Sequence, residues 1–472
     1  MSTPQKAEIL DRLHPYGQEH LLRFWDELTA DKRATLARQI ASIDFAQIAA
    51  LYEQAVAPGQ AGAGDHAARA RRAEPPPAIR LDEQRAGHAA VEARQRGEEA
   101  LRAGKIAAVL VAGGQGTRLG FEHPKGLFPI GPISQASLFQ ILLEKVLAAR
   151  RRYGADIPLY VMTSPATHDE TVAALERHER FGLPKKDLTI FCQGTMPAVD
   201  EGTGNLLLEE KGRLFLSPDG HGGMLRAMAR SGALAEMRNR GLEQLFYSQI
   251  DNPLTCVCDP LFIGYHLAAG AEVSTQVVAK HQPLDRVGNV VSVDSCVQII
   301  EYSDLPDDVA ALRAADGSLK LWAGNIAVHV FDVAFLDRMS QGGGQLPFHF
   351  ARKKVPYVDN AGRAVDPPAP NAIKFEQFIF DLLPAARRSL IVEVDEQAVF
   401  APVKNGSGAE KDTPETVRAQ MVSLHRQWLE SAEAKVDKGV LVEISPLFAL
   451  DAAEVAAKID RRLHVTADRL FR

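Results

Sequence analysis

Apolar side chains recur every three or four positions through the first 56 residues of the chain. This spacing places them on one face of a helix and predicts short amphipathic helices. Asp44 precedes a further apolar run and is a residue type that caps helix N-termini, so a third helix is expected to begin there. The apolar positions of the three predicted helices are Leu21, Leu22, Trp25 and Leu28, then Leu36, Ile40 and Ile43, and finally Phe45, Ile48 and Leu51.

A change of composition separates these helices from the rest of the chain. Ala57-Pro-Gly-Gln-Ala-Gly-Ala-Gly64 is followed by an Ala/Arg-rich stretch and by Pro75-Pro-Pro77. Glycine and proline at this density disfavour both helix and strand, so the segment is predicted to be a mobile linker. No internal repeat of solenoid period follows it, which indicates one larger domain rather than an array.

From Ile106 the pattern changes to short, nearly continuous apolar runs separated by helical patterns. Runs of this kind are typical of parallel strands that are buried on both faces. The capping sequences Ser137-Leu-Phe-Gln140 and Thr167-His-Asp-Glu170 predict the starts of two of the intervening helices. The alternation predicts a doubly wound α/β fold with right-handed crossovers, in which ligands gather at the carboxyl ends of the strands. The predicted strands are Ile106–Ala112, Leu159–Met162, Leu188–Cys192 and Leu245–Ile250.

The last part of the chain is predicted to be an appendage. Asn405-Gly-Ser-Gly408 has the composition of a loop, and a helix is expected near residues 413–433. The predicted organisation is an N-terminal helical region with its linker at 1–99, an α/β domain at 100–405 that would carry the functional site, and a small C-terminal domain at 406–472.

Composition narrows the class of protein. The 472 residues include 54 Lys+Arg and 60 Asp+Glu, a net charge of −6, and 46% are hydrophobic. These values are those of an ordinary soluble globular protein. No apolar run reaches the roughly 18 to 20 residues of a membrane span, and residues 1–18 lack the apolar core of a secretory signal, so the expected location is the cytoplasm.

Cysteine content argues against a disulfide framework and a zinc site, and charge argues against nucleic acid as a partner. Four cysteines are too few and too clustered for a disulfide framework. Cys256-x-Cys258 has no second Cys/His pair at zinc-ligand spacing, which favours buried thiols over a metal site. The basic run Arg69–Arg72 has no interleaved aromatic residues in an acidic chain, so neither nucleic acid nor a membrane is an expected partner.

The segment that carries the most chemistry follows the first predicted strand. Ala112-Gly-Gly-Gln-Gly-Thr-Arg-Leu-Gly120 is followed closely by Pro124-Lys-Gly126. Glycines let backbone N–H groups approach an anion, and Arg118 and Lys125 add positive charge, so the segment is predicted to bind phosphate. The dinucleotide fingerprint fails because Leu119 stands where its third glycine is needed, and the P-loop pattern is missing from this segment. A glycine turn that only redirects the chain is the alternative.

This segment resembles the signature loop of UDP-sugar pyrophosphorylases, particularly the UDP-N-acetylglucosamine pyrophosphorylase branch. Further similar stretches follow in the family's order, and the resemblance runs from about Tyr16 to Leu447. It implies a nucleotide-binding core of the glycosyltransferase-A type, and transfer of a uridylyl group from UTP to a sugar 1-phosphate with release of pyrophosphate. The stretches are Leu110–Gly120, Pro124–Gly126, Cys192–Ala198, Ser217–Gly223, Ile250–Asn252, Ile299–Ser303, Ala323–Ala327, Lys353–Val358, Pro370–Glu376 and Pro402–Asn405.

Nucleotidyl transfer requires in-line positioning and cancellation of phosphate charge rather than a covalent nucleophile. The resemblance implies that Arg118, Lys125, Lys374 and Lys404 supply cations to the phosphates. Asp251, at the end of a strand, would hold Mg²⁺ or Mn²⁺, because such an ion takes one or two protein oxygens and fills its shell with phosphate and water. The alternative for Asp251 is a capping role before Pro253.

The resemblance also implies which residues contact the two substrates. The amide of Gln193 can both donate to and accept from a base edge, although a structural glutamine at a strand end is the alternative. Trp322 is expected to be core packing rather than a sugar platform. The nucleotide-binding residues would be Ala112, Gly113, Gly114, Gly116, Thr117, Gln193 and Gly220. The sugar-binding residues would be His221, Gly288, Glu301 and Asn325.

One residue departs from the pattern and leaves the sugar open. The N-acetylglucosamine branch usually has asparagine where this chain has His221, and the glucose branch resembles Gly-His-Gly there. N-acetylglucosamine 1-phosphate is the expected substrate, and glucose 1-phosphate or a broad range of sugar 1-phosphates is the alternative. A non-catalytic protein that binds UDP-sugars is a more remote one. The sequence does not distinguish a monomer from a weak dimer.

Overall fold

A computed structural model describes residues 6–57, 63–85, 87–341 and 346–472. The chain forms two compact units. The first unit contains Met1–Arg71, Gly194–Met224 and Leu346–Asp381, and the second unit contains the remaining residues, Arg72–Gln193, Leu225–Gln345 and Leu382–Arg472. Residues 58–62 of the predicted linker lie outside the described residues. Its Ala/Arg-rich stretch forms the helix Ala63–Arg71, so the prediction of a linker without helix is wrong there. None of the described helices has the length and apolar character needed to cross a bilayer.

Helices occur along the whole described chain. The α-helices are Lys6–Leu13, Ala30–Ser42, Phe45–Val56, Ala63–Arg71, Leu81–Arg85, His88–Arg102, Leu138–Tyr153, His168–Arg177, Gly223–Ser231, Ala233–Asn239, Pro260–Ala269, Asp307–Ala310, Val333–Gln341, Glu396–Val399, Pro414–Ser431 and Ala452–Lys458. The 3-10 helices are His14–Tyr16, Glu19–Leu22, Trp25–Glu27, Thr117–Leu119, Lys125–Leu127, Glu179–Gly182, Lys185–Asp187 and Ile379–Ala385.

The second unit is built around a ten-stranded sheet that runs mostly parallel. All strands along its main path point the same way except Ala323–Asp332, which is antiparallel to both neighbours. The strand Ile106–Val111 lies inside the sheet and is almost wholly buried, because helices cover both faces of such a sheet. From one edge, the strand order is Ala78–Ile79, Ser389–Glu393, Val273–Ala279, Ala323–Asp332, Gln244–Gln249, Ile106–Val111, Leu159–Thr163 and Leu188–Cys192, with the hairpin Asn289–Val293 and Cys296–Ile300 attached to Ala323–Asp332.

This architecture confirms the predicted α/β fold class. Each of the four predicted strands is present, with ends that differ from the prediction by at most one residue. The remaining strands of this sheet were not predicted: neither the parallel strands Ala78–Ile79, Val273–Ala279 and Ser389–Glu393 nor the antiparallel strands Ala323–Asp332, Asn289–Val293 and Cys296–Ile300. Ala323–Asp332 contains polar residues such as His329 and Asn325 among apolar ones, so it does not read as a continuous apolar run.

The two predicted capping boxes differ in outcome. Ser137 accepts a hydrogen bond from the backbone N–H of Gln140 at 3.1 Å, but the Gln140 side chain bonds Glu144 instead of closing the box. Thr167 makes no capping bond, because its hydroxyl accepts from the backbone N–H of Ser164 at 3.1 Å. The prediction of a capping box at 167–170 is therefore wrong, although the helix begins where it predicted.

In the first unit, the N-terminal helices share an apolar core with short strands. Asp44 caps the helix Phe45–Val56 by accepting from the backbone N–H of Gln47 at 3.0 Å, as predicted. The apolar run at 21–28 forms two 3-10 turns rather than an amphipathic α-helix, which corrects that prediction. The strands of this unit are Thr195–Pro197, Val199–Asp200, Leu208–Glu210, Arg213–Leu214, Leu216–Pro218, His349–Lys353, Tyr357–Val358, Ala364–Val365 and Ala372–Glu376.

The C-terminal part of the second unit contains the predicted helix, at Pro414–Ser431. It packs with four short strands around an apolar cluster that includes Leu429 and Val455. The compact units draw on separate stretches of sequence, whereas the predicted domains 1–99, 100–405 and 406–472 are contiguous, and that division stays a prediction. The four strands are Lys435–Val436, Val442–Ile444, His464–Val465 and Arg469–Phe471.

Candidate active site

The glycine-rich loop begins directly at the end of the strand Ile106–Val111. The backbone N–H of Ala112 donates to the Met162 carbonyl at 2.7 Å, and the hydroxyl of Ser164 donates to the Gly113 carbonyl at 2.7 Å. Ser164 follows the neighbouring strand, so two strand ends hold the start of the loop. Sequence reasoning missed Ser164, although its place after a buried strand was a usable signal.

The loop folds back on itself and brings Lys125 beside its glycines. Gly116 N–H donates to the His123 carbonyl at 2.9 Å, and Lys125 N–H donates to the Gly114 carbonyl at 3.0 Å. A Cβ at Gly116 would lie 2.7 Å from the Phe121 carbonyl oxygen, so this glycine is required by the fold of the loop itself. A Cβ at Gly114 would meet nothing within 4 Å, so this position faces open space that a ligand could enter.

The carboxyl ends of the parallel strands form the edge of the sheet at which the glycine-rich loop lies. Lys125 and Asp251 form the charged centre of this edge. The Lys125 Nζ lies 3.6 Å from the Asp251 Oδ2 and donates to the Val403 carbonyl at 3.2 Å. Their side chains are 18% and 15% exposed, so the two charges interact through little water. Asp251 comes just after the strand Gln244–Gln249, and its own carbonyl accepts from the Val403 N–H at 2.8 Å.

A closed loop brings a further lysine to the same edge. Lys404 and Asn405 both donate their backbone N–H groups to the Asp412 carbonyl, at 2.9 and 3.0 Å. Within this loop a Cβ on Gly406 would lie 2.9 Å from the Arg118 carbonyl oxygen, so the loop touches the glycine-rich segment, where Arg118 is exposed.

Asp412 is a charged group of this edge that sequence reasoning missed. Burial raises the pKa of its carboxyl, while Lys404 and Lys411 oppose the shift and Asp251 adds to it. No local sequence signal marks it, because it is distant from Asp251 in the chain and meets the edge only through the fold.

Gln193 contacts the glycine-rich loop from a third strand end. Its backbone N–H donates to the Thr163 carbonyl at 2.9 Å, and the residue is 7% exposed. A Cβ at Gly113 would lie 2.7 Å from the Gln193 Oε1, so glycine is needed there for the amide to pack against the backbone. The structure thus brings together Ala112, Gly113 and Gln193, as the nucleotide-binding prediction requires.

Gly288, Glu301 and Asn325 form a second group within the same unit. The Asn325 N–H donates to the Gly288 carbonyl at 2.8 Å, and a Cβ at Gly288 would lie 3.0 Å from the Glu301 Oε1. The Lys411 Nζ lies 3.2 Å from the Asp285 Oδ1 and so ties the chain leading to Gly288 to the loop that carries Lys404.

Trp322, near this second group, is a packing residue. Its ring is covered by the Arg80 guanidinium, whose Cζ is 3.7 Å from the ring centroid, and the residue is buried. This agrees with the expectation that it packs in the core rather than supporting a sugar.

The remaining predicted residues, Gly220, His221 and Lys374, belong to the first unit. The Nδ1 of His221 accepts from the backbone N–H of Ile379 at 3.2 Å, which leaves Nε2 as the nitrogen that carries the proton in the neutral ring. Burial, with a smaller contribution from His349, lowers the pKa of His221 to about 4. Burial also lowers the pKa of Lys374, whose Nζ lies 4.8 Å from the Phe215 ring centroid.

Comparison with known proteins identifies the family. The family model described as UTP–glucose-1-phosphate uridylyltransferase matches residues 65–465, which is most of the chain. The chain belongs to this family. The family, the fold class and the enzyme class predicted from sequence are thereby confirmed.

Several known proteins are similar to this chain over most of their length. UDP-N-acetylglucosamine pyrophosphorylase of Saccharomyces cerevisiae is 40% identical over 356 residues, covering 74% of this chain and 75% of that protein. UDP-N-acetylhexosamine pyrophosphorylase-like protein 1 of Homo sapiens is 37% identical over 444 residues, covering 91% and 86%. The crystal structure of the uridine diphosphate N-acetylglucosamine pyrophosphorylase from Trypanosoma brucei in complex with an inhibitor matches with a TM-score of 0.83 at 27% identity, covering 99% of each chain.

Proposed function

We propose that the protein transfers the uridylyl group of UTP to N-acetylglucosamine 1-phosphate, forming the UDP-sugar and pyrophosphate. The observation that carries the proposal is the meeting of the open glycine-rich loop, Lys125 and Asp251 at one edge of the sheet. In the reaction a phosphate oxygen of the sugar 1-phosphate bonds to the α-phosphorus of UTP. The bond from that phosphorus to the bridging oxygen of the β-phosphate breaks, and the electron pair leaves with pyrophosphate.

The cations of the site offset the charge that makes this reaction difficult. Two polyanions repel each other as they approach, and negative charge grows on the leaving pyrophosphate. Arg118 and Lys125 stand on the glycine-rich loop and its continuation, and they are assigned to the triphosphate. Lys404 is assigned to the sugar phosphate or the α-phosphate by family resemblance, and its loop lies against the Arg118 backbone. Lys374 takes a similar role by family resemblance.

Asp251 fits a divalent ion held largely by substrate. Among the described residues there is no group of three or more His, Cys, Asp and Glu side chains that could hold a metal by themselves. A single carboxylate beside a lysine suits Mg²⁺, which usually takes one or two protein carboxylates and completes its shell with phosphates and water. When bound, the ion would neutralise phosphate charge, and Mn²⁺ could replace it at the same oxygen ligands.

Recognition of the nucleoside and the sugar is divided between the groups described above. The Gln193 amide and the backbone groups of Ala112 and Gly113 present donors and acceptors for a base edge. The other proposed nucleotide contacts are Gly114, Gly116, Thr117 and Gly220. Glu301 and Asn325 present hydrogen-bonding groups beside Gly288 for sugar hydroxyls, with His221 as a further donor. The names of the yeast and trypanosome relatives support N-acetylglucosamine as the sugar.

His221 and the description of the family model favour a second substrate, glucose 1-phosphate. The test is an assay of pyrophosphate release from UTP and Mg²⁺ with the 1-phosphates of N-acetylglucosamine, N-acetylgalactosamine, glucose and galactose. We expect the highest kcat/KM with N-acetylglucosamine 1-phosphate. A preference for glucose 1-phosphate selects the alternative. Tight UDP-sugar binding without pyrophosphate release from any of the four would contradict an enzymatic function and indicate a binding protein.

A further inference from the structure

The second unit contains a cavity of about 840 Å³ that none of the proposed substrate contacts uses. The helices Leu138–Tyr153 and Pro414–Ser431, the segment after Asp251 and the C-terminal residues near 443–457 form its walls. Its volume falls in the range of pockets that hold small molecules. Most of its lining is apolar, with Leu254, Met421 and Trp428 among the contributing side chains.

Lys145 is a cation in this lining that lacks a counter-charge. Its Nζ donates to two backbone carbonyls, those of Pro253 at 2.6 Å and Thr255 at 2.9 Å. Among the described residues no carboxylate forms an ion pair with it, and burial lowers the pKa of Lys145 to about 8. A half-buried ammonium held only by neutral groups is stabilised when an anion is placed beside it.

The carboxylates of the lining are already engaged and so leave Lys145 available to an external anion. Two of them pair with Arg152, at 2.8 Å for Asp451 and 2.6 Å for Glu454. Glu98 pairs with Arg102. Glu443 accepts from the backbone N–H groups of Ile133 and Ser134, and Asp259 accepts from the backbone N–H of Leu261.

Lys145 also connects the cavity to the proposed metal carboxylate. The two carbonyls that it holds lie two and four residues after Asp251, and the Asn252 side chain holds the same turn by bonding to Val399 and Ala401. An anion that drew the ammonium away would release the Pro253 and Thr255 carbonyls. The turn that presents Asp251 would then lose the support of the Lys145 side chain and keep that of Asn252.

We propose that this cavity is a regulatory site for a small amphipathic anion, whose charged group pairs with Lys145 and whose apolar body occupies the space beside Trp428. Occupation weakens the hold of Lys145 on the turn after Asp251 and so slows nucleotidyl transfer. The binding site stands on the geometry of the cavity alone, whereas its effect on turnover rests on the proposed function.

The binding test compares two fluorescent probes of similar shape. One is 8-anilino-1-naphthalenesulfonate, an aromatic anion, and the other is neutral N-phenyl-1-naphthylamine. We expect Lys145→Met to weaken binding of the anion by about tenfold, the loss of one charge pairing, and to leave the neutral probe within about twofold. Lys145→Arg should restore binding of the anion, and Lys438→Met, at an exposed lysine outside the lining, should not change it. Equal affinity in wild type and Lys145→Met would overturn the proposal.

A footprint of the unmodified protein keeps the test independent of variant folding. Cys256 lines the cavity and is exposed to reagents, although desolvation by the surrounding protein raises the pKa of its thiol to about 12. Saturating anion should slow alkylation of Cys256 by N-ethylmaleimide about tenfold, as expected when a bound molecule covers the thiol, and leave Cys296 unaffected. Unchanged alkylation of Cys256 would place the anion elsewhere and overturn the site.

The regulatory effect is measured in the pyrophosphate assay. The anion should lower kcat while the KM for UTP stays unchanged, because it acts from outside the substrate contacts. Competition with UTP would instead put the probe in the active site and overturn the regulatory role. If no sugar 1-phosphate supports pyrophosphate release, the proposed function fails, while the probe titrations and the Cys256 footprint still decide whether the cavity binds the anion.

Discussion

At the scale of single residues, the candidate site contains cationic side chains whose charge the protein itself neutralises only in part. Lys125 meets Asp251 at 3.6 Å, longer than a hydrogen bond, and its Nζ otherwise donates to the neutral Val403 carbonyl at 3.2 Å. Its ammonium can therefore turn toward a phosphate without breaking a close ion pair. Arg118 is exposed on the glycine-rich loop. Both cations are therefore available to charge that grows during the reaction.

We expect Lys125→Ala and Arg118→Ala to lower kcat more than they raise KM. Each removes charge that meets the transition state more strongly than the ground state, and a loss of about 10² to 10³-fold in kcat is typical for such a group. Steady-state kinetics with UTP and the preferred sugar 1-phosphate provide the measurement, with Lys438→Ala as the control for removing a surface lysine. A rise in KM with unchanged kcat would show that these residues contribute only to substrate binding.

His221 leads to a prediction about pH. Its Nδ1 accepts the Ile379 N–H, and burial lowers its pKa to about 4, so the ring stays neutral from pH 5 to pH 8. The profile of kcat/KM over this range should therefore have the same shape in wild type and in His221→Asn, although the preference between sugars can change. An inflection between pH 6 and 7 that disappears in His221→Asn would contradict a neutral His221.

At the scale of elements, close contact between two helices supports the sheet of the second unit. Helix His88–Arg102 packs on helix Pro260–Ala269 through glycines: a Cβ at Gly264 would overlap the Ala93 carbonyl, and one at Gly97 would overlap the Pro260 carbonyl. These overlaps involve backbone atoms that no side-chain rotation can move. The two helices can be this close only because both positions lack a side chain.

We expect Gly264→Ala to lower the free energy of unfolding by about 2 kcal/mol or more, within the range for overpacked sites. Alanine is favoured over glycine in a helix by about 1 kcal/mol, so the steric cost must exceed that gain. Urea denaturation gives the measurement. Gly202→Ala is the control, because its Cβ would find only the Asp200 Oδ1 at 3.6 Å, and it should be nearly neutral. Equal stability of the two variants would refute the close packing.

At the scale of the whole molecule, buried histidines make stability depend on pH. His266 lies between Ser274 and Gln244, and His425 accepts from the backbone N–H of Ile444 at 3.2 Å. Burial lowers their pKa values to about 4 and about 3. Since the unfolded chain takes up these protons near pH 6.5, the stability that they contribute is complete above that pH and is lost as pH falls toward 4 and 3.

The stability of the protein should therefore fall between pH 6.5 and pH 4. In this window each such histidine contributes a slope of up to about 1.4 kcal/mol per pH unit. His425→Gln keeps an acceptor for the Ile444 N–H but cannot titrate, so its free energy of unfolding should depend less steeply on pH than that of wild type. His14→Gln, at an exposed residue, is the control. Identical slopes for all three proteins would exclude the contribution of His425.

Prediction from sequence succeeded where the signal was local. Four of the buried parallel strands were recognised from continuous apolar runs, and Asp44 was recognised from the residue type that caps a helix. The run at 21–28 was predicted as an α-helix but forms 3-10 turns, because apolar spacing does not determine which backbone hydrogen bonds close. Arg118, Lys125 and Asp251 were found because they lie in or beside recognisable motifs, and their roles stay proposals.

The sequence by itself determined the family, four of the parallel strands and the glycine-rich loop, since each depends on residues that are close together along the chain. Only the tertiary structure decided that Asp412 joins the edge containing Asp251, that Gly97 meets Gly264, and that Lys145 holds the turn after Asp251. These contacts join residues that are distant in sequence. They form because the sheet and its helices bring those residues together, and no periodicity or local composition records them.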